Sequence, residues 1–151
     1  MSDYSKFLAL DLGEKRIGVA LCDGLKMVAQ PLEVFGRTSR KNDFSHVAQL
    51  IKQHDVSRVV VGLPLSLDGS EGRMAQWARD YGRDLAETVS IKVVFWDESF
   101  TSEMAATLMA EQGYSRKKMK GKLDAMAAAL ILQSYLDSQI WREDDDSPLF
   151  S

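Results

Sequence analysis

With 151 residues, 45% of them hydrophobic, the chain has the length and apolar content for one domain with its own core. No apolar run approaches the roughly 18 residues of a membrane span, and the first residues carry no signal-peptide pattern, so a cytoplasmic protein with no membrane partner is expected. Cys22 is the lone cysteine, which excludes an internal disulfide, argues against zinc and fits a reducing compartment. A net charge of -3 and a pI near 5.4 would by themselves argue against a polyanionic partner. The distribution reverses that. Removing Arg142 and the acids Glu143, Asp144, Asp145 and Asp146 from totals of 19 basic and 22 acidic residues leaves 18 of each in residues 1–141. Residues 142–151 then read as an acidic, disordered tail on a single domain spanning 1–141.

Taken in chain order, residues 7–11 and 17–22 are short apolar runs separated by a glycine-containing turn, which predicts a hairpin. Residues 27–35 form a third strand, and Pro31 places it at a sheet edge or a bulge. Asn42 or Asp43 can cap a helix whose Phe44, Val47, Ala48, Leu50 and Ile51 follow a 3.6-residue period. Val59, Val60 and Val61 mark a buried strand over 56–62. A loop with Gly62, Pro64, Gly69 and Gly72 leads to a helix carrying Met74, Trp77, Ala78, Tyr81 and Leu85. A fifth strand covers 91–96, Thr101 can cap a helix through Met109, and a last helix is predicted over 123–140. Three strands in a meander, then strands alternating with helices, predict an α/β fold: a mixed five-stranded sheet flanked by helices.

Three acids sit where acids are out of place. Asp11 ends the first apolar run, Glu98 follows Asp97 at the end of the fifth, and Asp124 opens an almost wholly apolar helical stretch. A buried carboxylate without a partner is costly, so such groups are paired, protonated or bound to metal. Three of them from distant parts of the chain suggest a site for a hard divalent cation, Mg²⁺ or Mn²⁺, one ion or two, of the kind that acts on phosphates. Successive strand side chains point to opposite faces, so Asp97 and Glu98 cannot both serve one site if the strand persists, and spacing does not choose between them. Positions 124, 127, 128 and 131 share one helical face, where small alanines permit close approach to a sheet. The structural alternative for Asp124 is an acid in a first turn, complementing the helix dipole. For Asp11 it is a turn cap.

Arg116, Lys117, Lys118, Lys120 and Lys122 form a basic run with no acid among residues 114–122. A polyanion responds to such a local patch more than to net charge, although a solvated loop would look the same. Residues 62–73 can present backbone amides to a phosphate but lack the spacing of a nucleotide-binding P-loop. His46 and His54 join no Ser or Cys nucleophile, so neither is expected to be catalytic. Cys22, Trp77 and Trp96 are expected to fill the core.

Four ordered motifs carry a resemblance to a known family. They are Leu10-Asp11-Leu12-Gly13 with Arg16-Ile17-Gly18-Val19-Ala20; Val61-Gly62-Leu63-Pro64 with Gly69; Asp97-Glu98 with Thr101-Ser102; and Asp124-Ala125, Ala127-Ala128 and the run from Ile131 to Leu136. Together they resemble the YqgF/RuvX family, Holliday-junction-resolvase-like proteins and candidate pre-16S rRNA nucleases. The resemblance implies an RNase H-like fold and selects Glu98 over Asp97. It implies a metal-dependent endonuclease, with Asp11, Glu98 and Asp124 as catalytic residues and metal ligands, acting at the 5′ end of precursor 16S rRNA. The implied partners are precursor rRNA or branched DNA, ribosomal particles, and a second copy of the chain. The alternatives are a Holliday-junction resolvase, or a ribosome-assembly factor that binds nucleic acid without cutting it. Family members commonly carry Arg directly after the glutamate, where this chain has Ser99. Lys15, Arg16, Arg73, Lys117, Lys118 and Lys120 are the candidate nucleic-acid contacts.

Overall fold

The computed structural model describes residues 4–64, 70–98, 107, 111 and 116–145, the side chains of the last stretch from 122 to 139. β1 (Lys6–Leu12) and β2 (Arg16–Cys22) form the expected antiparallel hairpin, with Asp11 opposite Gly18. β3 (Ala29–Gly36) adds antiparallel to β2. β4 (Val56–Leu63) and β5 (Lys92–Asp97) add in parallel on the other side of β1, giving the order β3-β2-β1-β4-β5. β3 is therefore an edge strand. Pro31 stands in it beside a register shift between Val19 and Ala20, where a missing N–H does least harm.

The two-residue alternation of the strands divides the core in two. On one face Leu8, Leu10, Leu12, Ile17, Val19, Val59 and Val61 pack against α1 (Arg40–His54) and α2 (Arg73–Val89) through Phe44, Val47, Leu50, Ala78, Tyr81 and Leu85. On the other, Phe7, Ala9, Ala20, Cys22 and Val60 lie under Ala128, Ala129, Ile131, Leu132, Tyr135 and Leu136 of α3 (Arg116–Asp145). Each fully buried Leu or Ile in these layers contributes about 1.5–3 kcal/mol. The helices therefore flank both faces, as predicted. Cys22 is buried and its sulfur accepts from the Phe7 amide at 3.1 Å. Trp77 and Trp96 pack against the two core layers, and the Trp96 indole donates to Ser134 Oγ at 3.0 Å.

Three predicted details change. α1 is capped by Ser39, whose hydroxyl accepts from the Asn42 amide at 3.1 Å, rather than by Asn42 or Asp43. Arg40 and Lys41 extend the helix by residues with no apolar periodicity to betray them. Asp43 is instead buried, accepting from the Thr38 amide at 3.1 Å and from the Tyr81 hydroxyl at 2.9 Å. The last helix begins at Arg116, well before residue 123, and runs on to Asp145. The basic run is thus helix rather than loop: Lys and Arg are good helix formers, and the packed stretch that follows holds the turn in place. Residues 142–145, read from sequence as part of a disordered tail, continue the same helix. Residues 146–151, the helix predicted from Thr101, and residues 65–69 of the glycine-rich loop lie outside the described residues. Among the described residues no helix is long and apolar enough to cross a membrane.

Candidate active site

Alternation along β1 puts Asp11 on the face of Phe7 and Ala9, toward α3. The same alternation along β5 turns Val94 and Trp96 toward α3. The ladder continues one residue beyond β5, because the Glu98 amide donates to the Leu63 carbonyl at 3.0 Å. Glu98 therefore follows Val94 and Trp96 onto the α3 face, while Asp97 stays exposed. The choice that spacing left open is made by that bond.

Glu98 and Asp11 lie on strands separated by β4, yet their carboxyl groups hydrogen-bond directly to each other. Gly62 of β4 makes this possible. A Cβ there would stand 2.6 Å from Glu98 Oε2 and 2.6 Å from Ile131 Cδ1. On the other side of Asp11, a Cβ on Gly18 would lie 2.0 Å from the backbone oxygen of Asp124. Two missing side chains, one on each neighbouring strand, open the pocket in which α3 and Glu98 approach Asp11.

Asp124 lies in the third turn of α3, eight residues after Arg116, so the reading of it as a first-turn acid fails. Its carboxylate accepts from Arg16 Nε at 3.1 Å, with 30% of the side chain exposed against 50% for Arg16. Its negative charge is felt at Asp11. Among the described residues no group of three His, Cys, Asp or Glu side chains stands ready to hold an ion. The structure brings Asp11 and Glu98 into contact and keeps Asp124 within electrostatic reach, held by Arg16.

Burial is the main cause that raises both paired carboxyls. Asp11 is raised by burial, lowered by its bond to Glu98 and raised by the Asp124 charge. Glu98 is pushed up to about 8 by burial, then by the Asp11 charge and bond, then by the charge of Asp97. The shared bond acts in opposite directions on the two groups, favouring the ionised form of Asp11 and the protonated form of Glu98. Two largely buried carboxyls against each other, with a third nearby, form an oxygen-only donor set. That chemistry suits a hard divalent cation, which would replace the proton and relieve the repulsion.

The turn between β1 and β2 is tied down by a residue that sequence reasoning passed over. Arg37 Nη1 donates to the carbonyls of Gly13 at 3.0 Å and Glu14 at 2.8 Å, and its amide donates to the Lys15 carbonyl at 2.8 Å. Its guanidinium stacks 4.2 Å from the Trp77 ring centre. No sequence signal marked it, since an Arg after a strand is unremarkable. Lys15 is exposed on that turn, and Arg16, exposed at the first position of β2, is the one that reaches an acid of the site. Arg73 is exposed at the first position of α2. Lys117, Lys118 and Lys120 lie on the opening turns of α3, ahead of Asp124, and their side chains lie outside the described ones. His46 pairs with Glu33 at 2.9 Å, on a different part of the sheet.

Residues 5–138 match the family described as "RuvX: Holliday junction resolvase". The chain belongs to the RuvX family. It is 44% identical over 133 residues to a Syntrophus aciditrophicus (strain SB) protein named "Putative pre-16S rRNA nuclease", covering 88% of this chain and 89% of that one. A protein of the same name from Anaeromyxobacter sp. (strain Fw109-5) is 40% identical over 134 residues, covering 89% and 98%. T. thermophilus RuvC in complex with a Holliday junction substrate superimposes with a TM-score of 0.56 over 90% of this chain and 96% of that chain, at 12% identity. At that identity the likeness shows the fold, which is RNase H-like.

Proposed function

We propose that this RuvX-family chain is a divalent-cation-dependent endonuclease that hydrolyses phosphodiesters in structured nucleic acid, with precursor 16S rRNA as its substrate, cut at the 5′ end. One observation carries the reading: the hydrogen-bonded Asp11–Glu98 pair at the carboxyl ends of two parallel strands, with Asp124 in electrostatic reach. Substrates of α/β sheets characteristically approach that edge. The names of the curated relatives supply the substrate class.

Asp11, Glu98 and Asp124 would hold Mg²⁺ or Mn²⁺, as one ion or two. Bound there, the cation would supply an activated water and stabilise the leaving oxygen. Glu98 must release its proton to become a ligand. Gly18 and Gly62 let Asp124 and Glu98 approach Asp11 this closely. Lys15 and Arg16, with Arg73, Lys117, Lys118 and Lys120, would grip backbone phosphates, which contributes affinity and register rather than sequence preference. No imidazole is needed as a general base, which agrees with the remote position of His46. On this reading residues 1–141 act as one catalytic unit in the cytoplasm, on rRNA within or released from ribosomal particles.

A second reading has its own support in the family description and in the RuvC likeness: cleavage of four-way DNA junctions by a symmetric dimer. The deciding experiment incubates the purified chain with end-labelled precursor 16S rRNA and with a four-way junction, in Mg²⁺, Mn²⁺ or EDTA. Cation-dependent cutting of the precursor at one site supports the proposal. Paired, symmetric junction cuts favour the second reading. Tight binding without cleavage in any cation would leave a non-cutting assembly factor.

A further inference from the structure

Arg16, placed above among the phosphate contacts, is already engaged by one of the proposed metal ligands. Its Nε holds Asp124 Oδ2 at 3.1 Å, so the third acid already has a cationic partner. That bond joins residues 108 apart in sequence, and it is set by fixed backbone at both ends. Arg16 opens β2, directly after the turn that Arg37 clamps. Asp124 is fixed because its backbone oxygen rests against Gly18. Only the two side chains are free to move, and Arg16 is half exposed, so it can turn outward without breaking packing.

We propose that Arg16 is a latch that exchanges partners: it neutralises Asp124 in the cation-free protein and yields that carboxylate to an incoming divalent cation. Once released, its half-exposed guanidinium takes a phosphate oxygen of the nucleic acid. The inference rests on the proposed metal site and adds a coupling to it. Cation binding and nucleic-acid binding strengthen each other through one residue, and by linkage the effect is reciprocal. A guanidinium suits both states, because it is always charged and pairs with carboxylate and phosphate alike.

The test measures binding, not turnover. Mn²⁺ affinity without nucleic acid is determined by calorimetry for wild type, Arg16→Gln and Lys15→Gln. Lys15 is the exposed cation next to it in sequence. Releasing a half-exposed ion pair should tighten Mn²⁺ binding in Arg16→Gln by about two- to fivefold, with a smaller gain in Lys15→Gln. In wild type, the Arg16 Nε–H resonance should move during Mg²⁺ titration with the same midpoint as binding, a readout that needs no variant. Nucleic-acid affinity measured with and without Ca²⁺, as a cation for binding assays, should rise with the ion in wild type and rise less in Arg16→Gln. Equal gains in both variants, or an unmoved Arg16 resonance during saturable binding, overturn the latch and leave the metal site standing. No saturable binding in any of the three folded proteins overturns the metal site and the latch with it.

Discussion

Replacing Glu98 with Gln tests the site without a substrate. The amide keeps the shape and can still donate to Asp11, but it cannot ionise. A carboxyl whose folded pKa lies above its unfolded value binds its proton more tightly in the folded state. Its stabilising contribution is then complete below the unfolded value of 4.5 and is lost as pH rises through about 8. The whole span would correspond to a ceiling of about 5 kcal/mol at roughly 1.4 kcal/mol per pH unit. Water reaching a partly exposed pair lowers this, and about 1–3 kcal/mol lost between pH 6 and pH 9 is a sound expectation. Denaturant unfolding in EDTA at the two pH values supplies the measurement. Wild type should weaken by that amount while Glu98→Gln stays nearly level, and Mg²⁺ at pH 9 should restore wild type more than the variant. Parallel losses in the two proteins would mean that Glu98 does not titrate in this window, and the account of its raised pKa would be wrong.

Three further outcomes follow from the same geometry. Asp11→Asn removes the charge but not the shape, so cation-dependent cleavage should fall by at least about a hundredfold while the melting temperature holds or rises; full activity in a well-folded variant would reject the mechanism. Gly18→Ala drives a methyl group into the backbone of Asp124, where 2.0 Å is available, and should cost about 2–3 kcal/mol or roughly 5–10 °C in melting temperature. Gly36→Ala, with nothing within 4 Å, serves as the control, and equal melting of the two variants would refute the close approach of α3. Replacing Lys117, Lys118 and Lys120 together with Ala should flatten the log–log salt dependence of nucleic-acid binding by about 0.7–0.9 per lost contact, with little change in single-turnover rate at saturation; an unchanged slope and affinity would make these turns of α3 a merely solvated surface.

Much of the site could be read locally, because strand alternation and helix periodicity are properties of short segments. The end of an apolar run marked Asp11, and the spacing 124, 127, 128, 131 put Asp124 on the packed side of its helix. Gly18 and Gly62 stood inside the recognised motifs, although only contact distances show what their missing side chains make room for. The start of α3 was not legible, since Arg116 to Lys122 has helical propensity but no apolar stripe. Sequence left Asp97 and Glu98 open because the answer depends on whether the ladder outlasts β5. That is decided by the bond from Glu98 to Leu63, which belongs to a different strand.

The sequence by itself determined the mixed sheet with helices on both faces, put Pro31 at an edge or a bulge, and singled out three acids. These follow from where apolar side chains must go and from the rarity of carboxylates at such places. Only the tertiary structure decided that Glu98 reaches Asp11 across Gly62, that burial raises both carboxyls, and that Asp124 is in the grip of Arg16. Each of these depends on the separation of charges in a half-buried pocket. A Coulomb energy depends on distance and dielectric, and neither quantity is encoded at any single position of the chain.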